Sequence, residues 1–126
     1  MKEYFFLILL FLSNLFGVKI IHDKVLSAPN GITSTVEAYL ELPENQIHRF
    51  SLLYRPIGNI DYLETKFVKI RNLKYMAEIP GEFMNREILE YFLLLELPNQ
   101  KRITFPRRDA YNNPIQIQIE ILMVEE

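Results

Sequence analysis

Residues 115–121 read IQIQIEI, an unbroken alternation of isoleucine with a polar residue. In an extended chain successive side chains point to opposite faces, so the run predicts a strand with one face in a core and the other in water. The same period of two recurs along the chain. Ile32, Val36, Ala38 and Leu40 share one side of a segment whose other side carries Thr33, Thr35, Glu37, Tyr39 and Glu41. Phe50, Leu52 and Tyr54 share a face before Pro56, which cannot donate to a ladder. Leu63, Thr65 and Phe67 form a less regular row within 62–68, and Leu73, Tyr75, Ala77 and Ile79 a cleaner one.

Between these runs lie turn signals: Pro56-Ile57-Gly58-Asn59, Pro80-Gly81, and the stretch Leu97–Lys101. Glu87 to Leu97 lacks glycine and has respectable helix propensity. Its neighbours alternate with period two, however, and it is assigned as a strand. Leu89, Tyr91, Leu93 and Leu95 then occupy one face, and Ile88, Glu90, Phe92, Leu94 and Glu96 the other. Arg102–Phe105 is a short strand, and FPRRDAYNNP, 105–114, a structured crossover in which Arg107 and Arg108 face water and Asp109 serves the turn. Short strands separated by Pro, Gly and Asn predict an all-β fold, an antiparallel sandwich of about seven strands over 32–126.

The chain has 126 residues, 49% of them hydrophobic, which suits one domain with one core. Its 14 basic and 16 acidic residues leave a net charge of −2, so no single-sign field draws in nucleic acid or an anionic membrane. Cysteine is absent, which excludes disulfides and a bacterial lipoprotein anchor and leaves stability to packing.

Met1 to Val18 reads as a signal peptide: Lys2, an apolar run from Tyr4 to Leu12, then Ser13, Asn14 and Gly17. A spanning helix needs roughly 20 apolar residues, so retention as an uncleaved anchor is the secondary reading. Cleavage is expected near Gly17 or Lys19, followed by a lead-in over 19–31. An exported chain without disulfides fits a bacterial periplasm or cell envelope, and contact with the membrane is expected only through the N-terminal segment if it is retained.

A set of short motifs occurs in order: Leu53-Tyr54-Arg55-Pro56-Ile57-Gly58, Tyr62, Tyr75-Met76-Ala77-Glu78-Ile79-Pro80, Leu89-Glu90-Tyr91-Phe92, Thr104-Phe105-Pro106 and Asn113-Pro114. This order, over 32–121, resembles the immunoglobulin-like or fibronectin-type-III-like domains found behind the signal peptide of bacterial envelope proteins. The sequence departs from their pattern at Ile88, Phe92, Asn99-Gln100 and Ala110. The resemblance implies a sandwich, an envelope location and attachment to a larger protein, and the chain is expected to be the front of something longer. It implies no reaction.

Residues that could carry chemistry are sparse. There are two histidines: His22, beside Asp23, reads as part of a solvated pair, and His48 stands next to Arg49. Ser27, Ser34 and Ser51 lack the surroundings of a nucleophile. Glu90 with Glu96, or Asp61 with Glu64, reads as ordinary surface charge rather than an acid–base pair. Lys66, Lys69, Arg71 and Lys74, with Lys101, Arg102, Arg107 and Arg108, read as charges protecting strand edges. No catalytic, cofactor-binding or metal-binding residue is assigned, and the chain is not expected to be an enzyme.

Two functions are then in view. One is a noncatalytic structural or protein-interaction module whose outward apolar row, Ile88, Phe92 and Leu94, needs a partner chain or a covering loop. The other is a carbohydrate or surface-polymer binding module that uses Tyr39, Tyr62 and Tyr111 as stacking platforms.

Overall fold

The computed structural model describes residues 18–121; the expected signal segment, apart from Val18, lies outside them. Ten strands occur among the described residues: β1 (Ile20–Ile21), β2 (Ser27–Pro29), β3 (Ser34–Leu40), β4 (Arg49–Pro56), β5 (Leu63–Lys66), β6 (Val68–Arg71), β7 (Lys74–Ile79), β8 (Ile88–Glu96), β9 (Arg102–Phe105) and β10 (Ile115–Glu120). Two short 3₁₀ turns, Glu44–Gln46 and Gly81–Phe83, complete the set. The protein is all-β, and the stretch from Glu87 to Leu97 contains a strand, not a helix.

The strands form two sheets, one in the order β1-β3-β7-β6 and one in the order β2-β10-β8-β4-β5. β8 is the axis of the second sheet. β4 pairs along its full length on one side, while β10 takes Ile88–Tyr91 and β9 takes Leu93–Glu96 on the other. Pairing is antiparallel except between β2 and β10, which run parallel from Gln118↔Ser27 to Glu120↔Pro29.

Alternation decides which side chains enter the core. Val36, Ala38 and Leu40 of β3 and Tyr75, Ala77 and Ile79 of β7 face inward from the first sheet. Phe50, Leu52 and Tyr54, Leu89, Tyr91, Leu93 and Leu95, and Ile115, Ile117 and Ile119 meet them from the second. All belong to one continuous cluster, so the two sheets share a single core.

The sequence reading needs four corrections. Ile32 is half exposed and precedes its strand, beside Gly31 at φ 75°. Leu73 is also not a core residue. It sits in the two-residue turn between β6 and β7 at φ 68°, with its carbonyl accepting the Leu40 N–H. The single strand expected over 62–68 is two strands in different sheets, because Phe67 turns inward between β5 and β6 and stacks on Phe50 at 4.2 Å. The lead-in over 19–31 is part of the fold: it supplies β1 to one sheet and β2 to the other, which raises the strand number and adds the parallel pair.

Candidate functional site

The outward row of β8 is not open. Phe92 is 3% exposed and Leu94 8%, and only Ile88 is half-buried. Phe92 and Leu94 form a second apolar cluster with Ala110, against which Leu53 and Tyr62 pack. The cover comes from the crossover after β9. Asp109, at φ 50°, accepts the backbone N–H groups of Asn112 and Asn113 on its carbonyl at 3.2 and 2.8 Å. Its carboxylate accepts their side-chain amides at 2.8 and 3.2 Å. That hub folds 109–113 back over the sheet, burying Ala110 and setting Tyr111 beside Tyr62 and Phe92. An interface through Phe92 and Leu94 therefore loses its motive, since the chain covers them itself.

The tyrosines do not form a flat platform. Tyr62 and Tyr111 meet edge to face, 5.1 Å apart at 64°, and the Tyr62 hydroxyl donates to the Tyr111 carbonyl. The Arg55 guanidinium lies 4.1 Å over the Tyr62 ring and occupies one of its faces. Tyr39 belongs to the other sheet, on β3. Two coplanar exposed rings, which a sugar-stacking surface needs, do not occur among these three.

Of the carboxylates considered as catalytic pairs, Glu64, Glu90 and Glu96 are each held by an arginine. Arg49 donates to Glu64 at 2.7 Å and lies 3.6 Å from Glu96, and Arg55 donates to Glu90 at 3.0 Å. The Arg49 guanidinium holds the Glu64 carboxyl below its usual range, so the group stays ionised instead of acting as an acid. Ser51 is fully buried, and its hydroxyl has no hydrogen-bond partner among the described residues. Those residues also contain no cluster of three His, Cys, Asp or Glu side chains suited to a metal.

Of the basic residues, Lys66 lies on β5 and Lys69 and Arg71 on β6, the end strands of the two sheets, while Lys74 lies on β7 beside β6. Lys69 lies 3.7 Å from Glu44 and Lys74 3.4 Å from Glu37, and a register shift interrupts β6 between Lys69 and Arg71. Charge and a bulge on an edge strand are devices that discourage pairing with another chain.

Exposed apolar side chains also gather on the outer face of the first sheet. Ile21 and Tyr39, which are register partners, stand on its outer face, and Val68, paired with Met76, stands on the same side. Ile21 is 50% exposed, Tyr39 39% and Val68 63%, with Ile70 also exposed on the same edge strand. No loop among the described residues folds over them as 109–113 folds over the second sheet.

His22 also differs from the sequence-based expectation. It is buried, not solvated. The carbonyl of Glu37 can only accept, so the 2.6 Å contact requires a proton on Nδ1. Nε2 then accepts from the Tyr91 hydroxyl at 2.8 Å, and that oxygen accepts the Val25 N–H at 2.9 Å. The rings of Tyr91 and Phe105 stand edge-on to the imidazole at 5.7 and 5.4 Å. Burial lowers the His22 pKa, opposed by the Glu37 carbonyl and by Asp23. Burial likewise pushes the Tyr91 phenol up to about 12, opposed by the Val25 N–H. One signal was legible: Ile20 and His22 share strand parity, so an inward Ile20 implies an inward His22.

No protein-family model matches this chain, and no curated protein matches it in sequence.

Proposed function

We propose that the chain is a noncatalytic immunoglobulin-like module of an exported bacterial envelope protein, serving as a structural or protein-interaction unit. The strand order carries this reading. An immunoglobulin-like sandwich sets its first, second, fifth and fourth strands in one sheet and its third, sixth and seventh in the other, with added strands beyond the third. The orders β1-β3-β7-β6 and β10-β8-β4-β5 support the reading, with the chain crossing between sheets at Phe67, the N-terminal segment divided between both sheets, and β9 as an addition that pairs with β8.

The interaction role is supported by the contrast between the outer faces. Apolar area left wet forgoes about 25 cal/mol per Å², and the chain spends a loop on covering Phe92 and Leu94 while leaving Ile21, Tyr39 and Val68 bare. The partner-facing surface is therefore the β1-β3-β7-β6 face, and the partner is another protein or another domain of the same assembly. The hydrophobic N-terminal segment supports export.

A photo-activatable residue placed at Tyr39 or Val68 tests the role in cells producing the protein in their envelope. The expected outcome is a discrete cross-linked species from these positions and none from Arg102 or Arg107 on the other sheet's side. Equal labelling from both sets, or none from either, would remove the interaction reading. The mass of the mature N-terminus tests export separately, with cleavage expected near Gly17 or Lys19.

A further inference from the structure

The segment from Ile20 to Pro29 straps one flank of both sheets. It is held by two residues of β1 against β3 and three of β2 against β10, with the Leu26 carbonyl accepting the Gln118 N–H at 2.9 Å. Between the two strands, the polar anchor that reaches the core is the His22–Tyr91–Val25 relay.

The relay works only with a neutral imidazole. Nε2 must accept the Tyr91 proton, and the Tyr91 oxygen must accept the Val25 N–H. A proton added to Nε2 makes it a donor, and the Tyr91 hydroxyl hydrogen then loses its acceptor. The neighbouring anion, Asp23, offsets the cost of burial only in part. Asp23 on the strap is exposed, as are Lys19 and Lys24. From β3, the Glu37 backbone carbonyl faces the ring, while its carboxylate reaches toward Lys74 at 3.4 Å. β8 presents a neutral phenol and β9 presents Phe105. An imidazolium here would be a buried charge among aromatic rings, and a short movement of a two-residue strand would return it to water.

We infer that the strap is a proton-operated latch: protonation of His22 turns Nε2 into a donor, leaves the Tyr91 hydroxyl hydrogen without an acceptor beside a buried imidazolium, and releases residues 20–29 from both sheets, while the paired core strands stay in place. Release takes the outer partner from β3 and from β10 together, so a mildly acidic setting converts a closed flank into two open strand edges.

Residue-resolved hydrogen exchange of the purified protein at pH 7.5 and pH 5, corrected for intrinsic rates, tests the latch. Protection at Val25 and in β1 falls about tenfold or more at the lower pH, while amides of Leu52 and Leu93 keep theirs. His22→Gln has a donor and an acceptor but does not titrate, and it abolishes the difference between the two pH values. Should that variant fail to hold the strap, titration of the His22 ring in the unaltered protein must share its midpoint with strap opening. Equal strap protection at both pH values, simultaneous loss of strap and core, retention of the pH difference in His22→Gln, or separate midpoints would each overturn the inference.

Discussion

Single residues carry loads here that their type does not announce. Leu73 occupies the left-handed region at φ 68° in the β6–β7 turn, where a Cβ costs about 1–2 kcal/mol. Glycine removes that strain but restores freedom to the unfolded chain, so Leu73→Gly is expected to gain about 0.5–1 kcal/mol, read as a higher denaturation midpoint. Tyr91→Phe should do the reverse. It leaves the Val25 N–H and His22 Nε2 without their partner in a buried site, at a cost of about 1–3 kcal/mol in chemical denaturation. His22 also gives stability a direction with pH. Its folded pKa lies below the ordinary imidazole value of 6.5, so the folded state binds fewer protons than the unfolded chain between the two values. The contribution is fully present above about pH 6.5 and is lost as pH falls from there through the folded pKa. Denaturation midpoints should decline over that window in the unaltered protein and change less in His22→Gln.

At the scale of elements, β8 differs from an ordinary half-buried strand because both its faces are covered. Its inner face meets the first sheet, and its outer face lies under a loop organised by Asp109. Phe92→Ala is accordingly expected to behave as a core truncation, costing about 3 kcal/mol and loosening 109–113, detectable as lost amide protection at Asn112 and Asn113. The ion pairs beside it should matter far less. Arg49 and Glu64 are each about a third exposed, with side-chain values of 32% and 35%, so Glu64→Gln should cost under about 1 kcal/mol. A comparable loss from Glu64→Gln and Phe92→Ala would show that the outer cluster is not a second core. Gly81 marks another junction. A Cβ there would collide with the Gly31 carbonyl, which ties the Gly81–Phe83 turn closely to the loop before β3.

For the whole molecule, the strap decides how many strand edges are open. A chain beginning at Gly31 keeps most of the core but lacks the outer partners of β3 and β10. Exposed edges template pairing, so this fragment should associate with rising concentration in light scattering, whereas the intact protein should not do so at neutral pH. A monomeric fragment of undiminished stability would show that the strap adds nothing to the fold. The sequence by itself determined the strands and their inward sides: Val36, Phe50, Ala77, Leu93 and Ile117 are buried as their alternation predicts, because side-chain parity is a local property of extended backbone. Only the tertiary structure decided what covers each remaining side. Parity cannot say that Phe67 carries the chain from one sheet to the other, that the Asp109 loop closes over Phe92, or that His22 finds Tyr91, since each depends on partners brought together from distant parts of the chain.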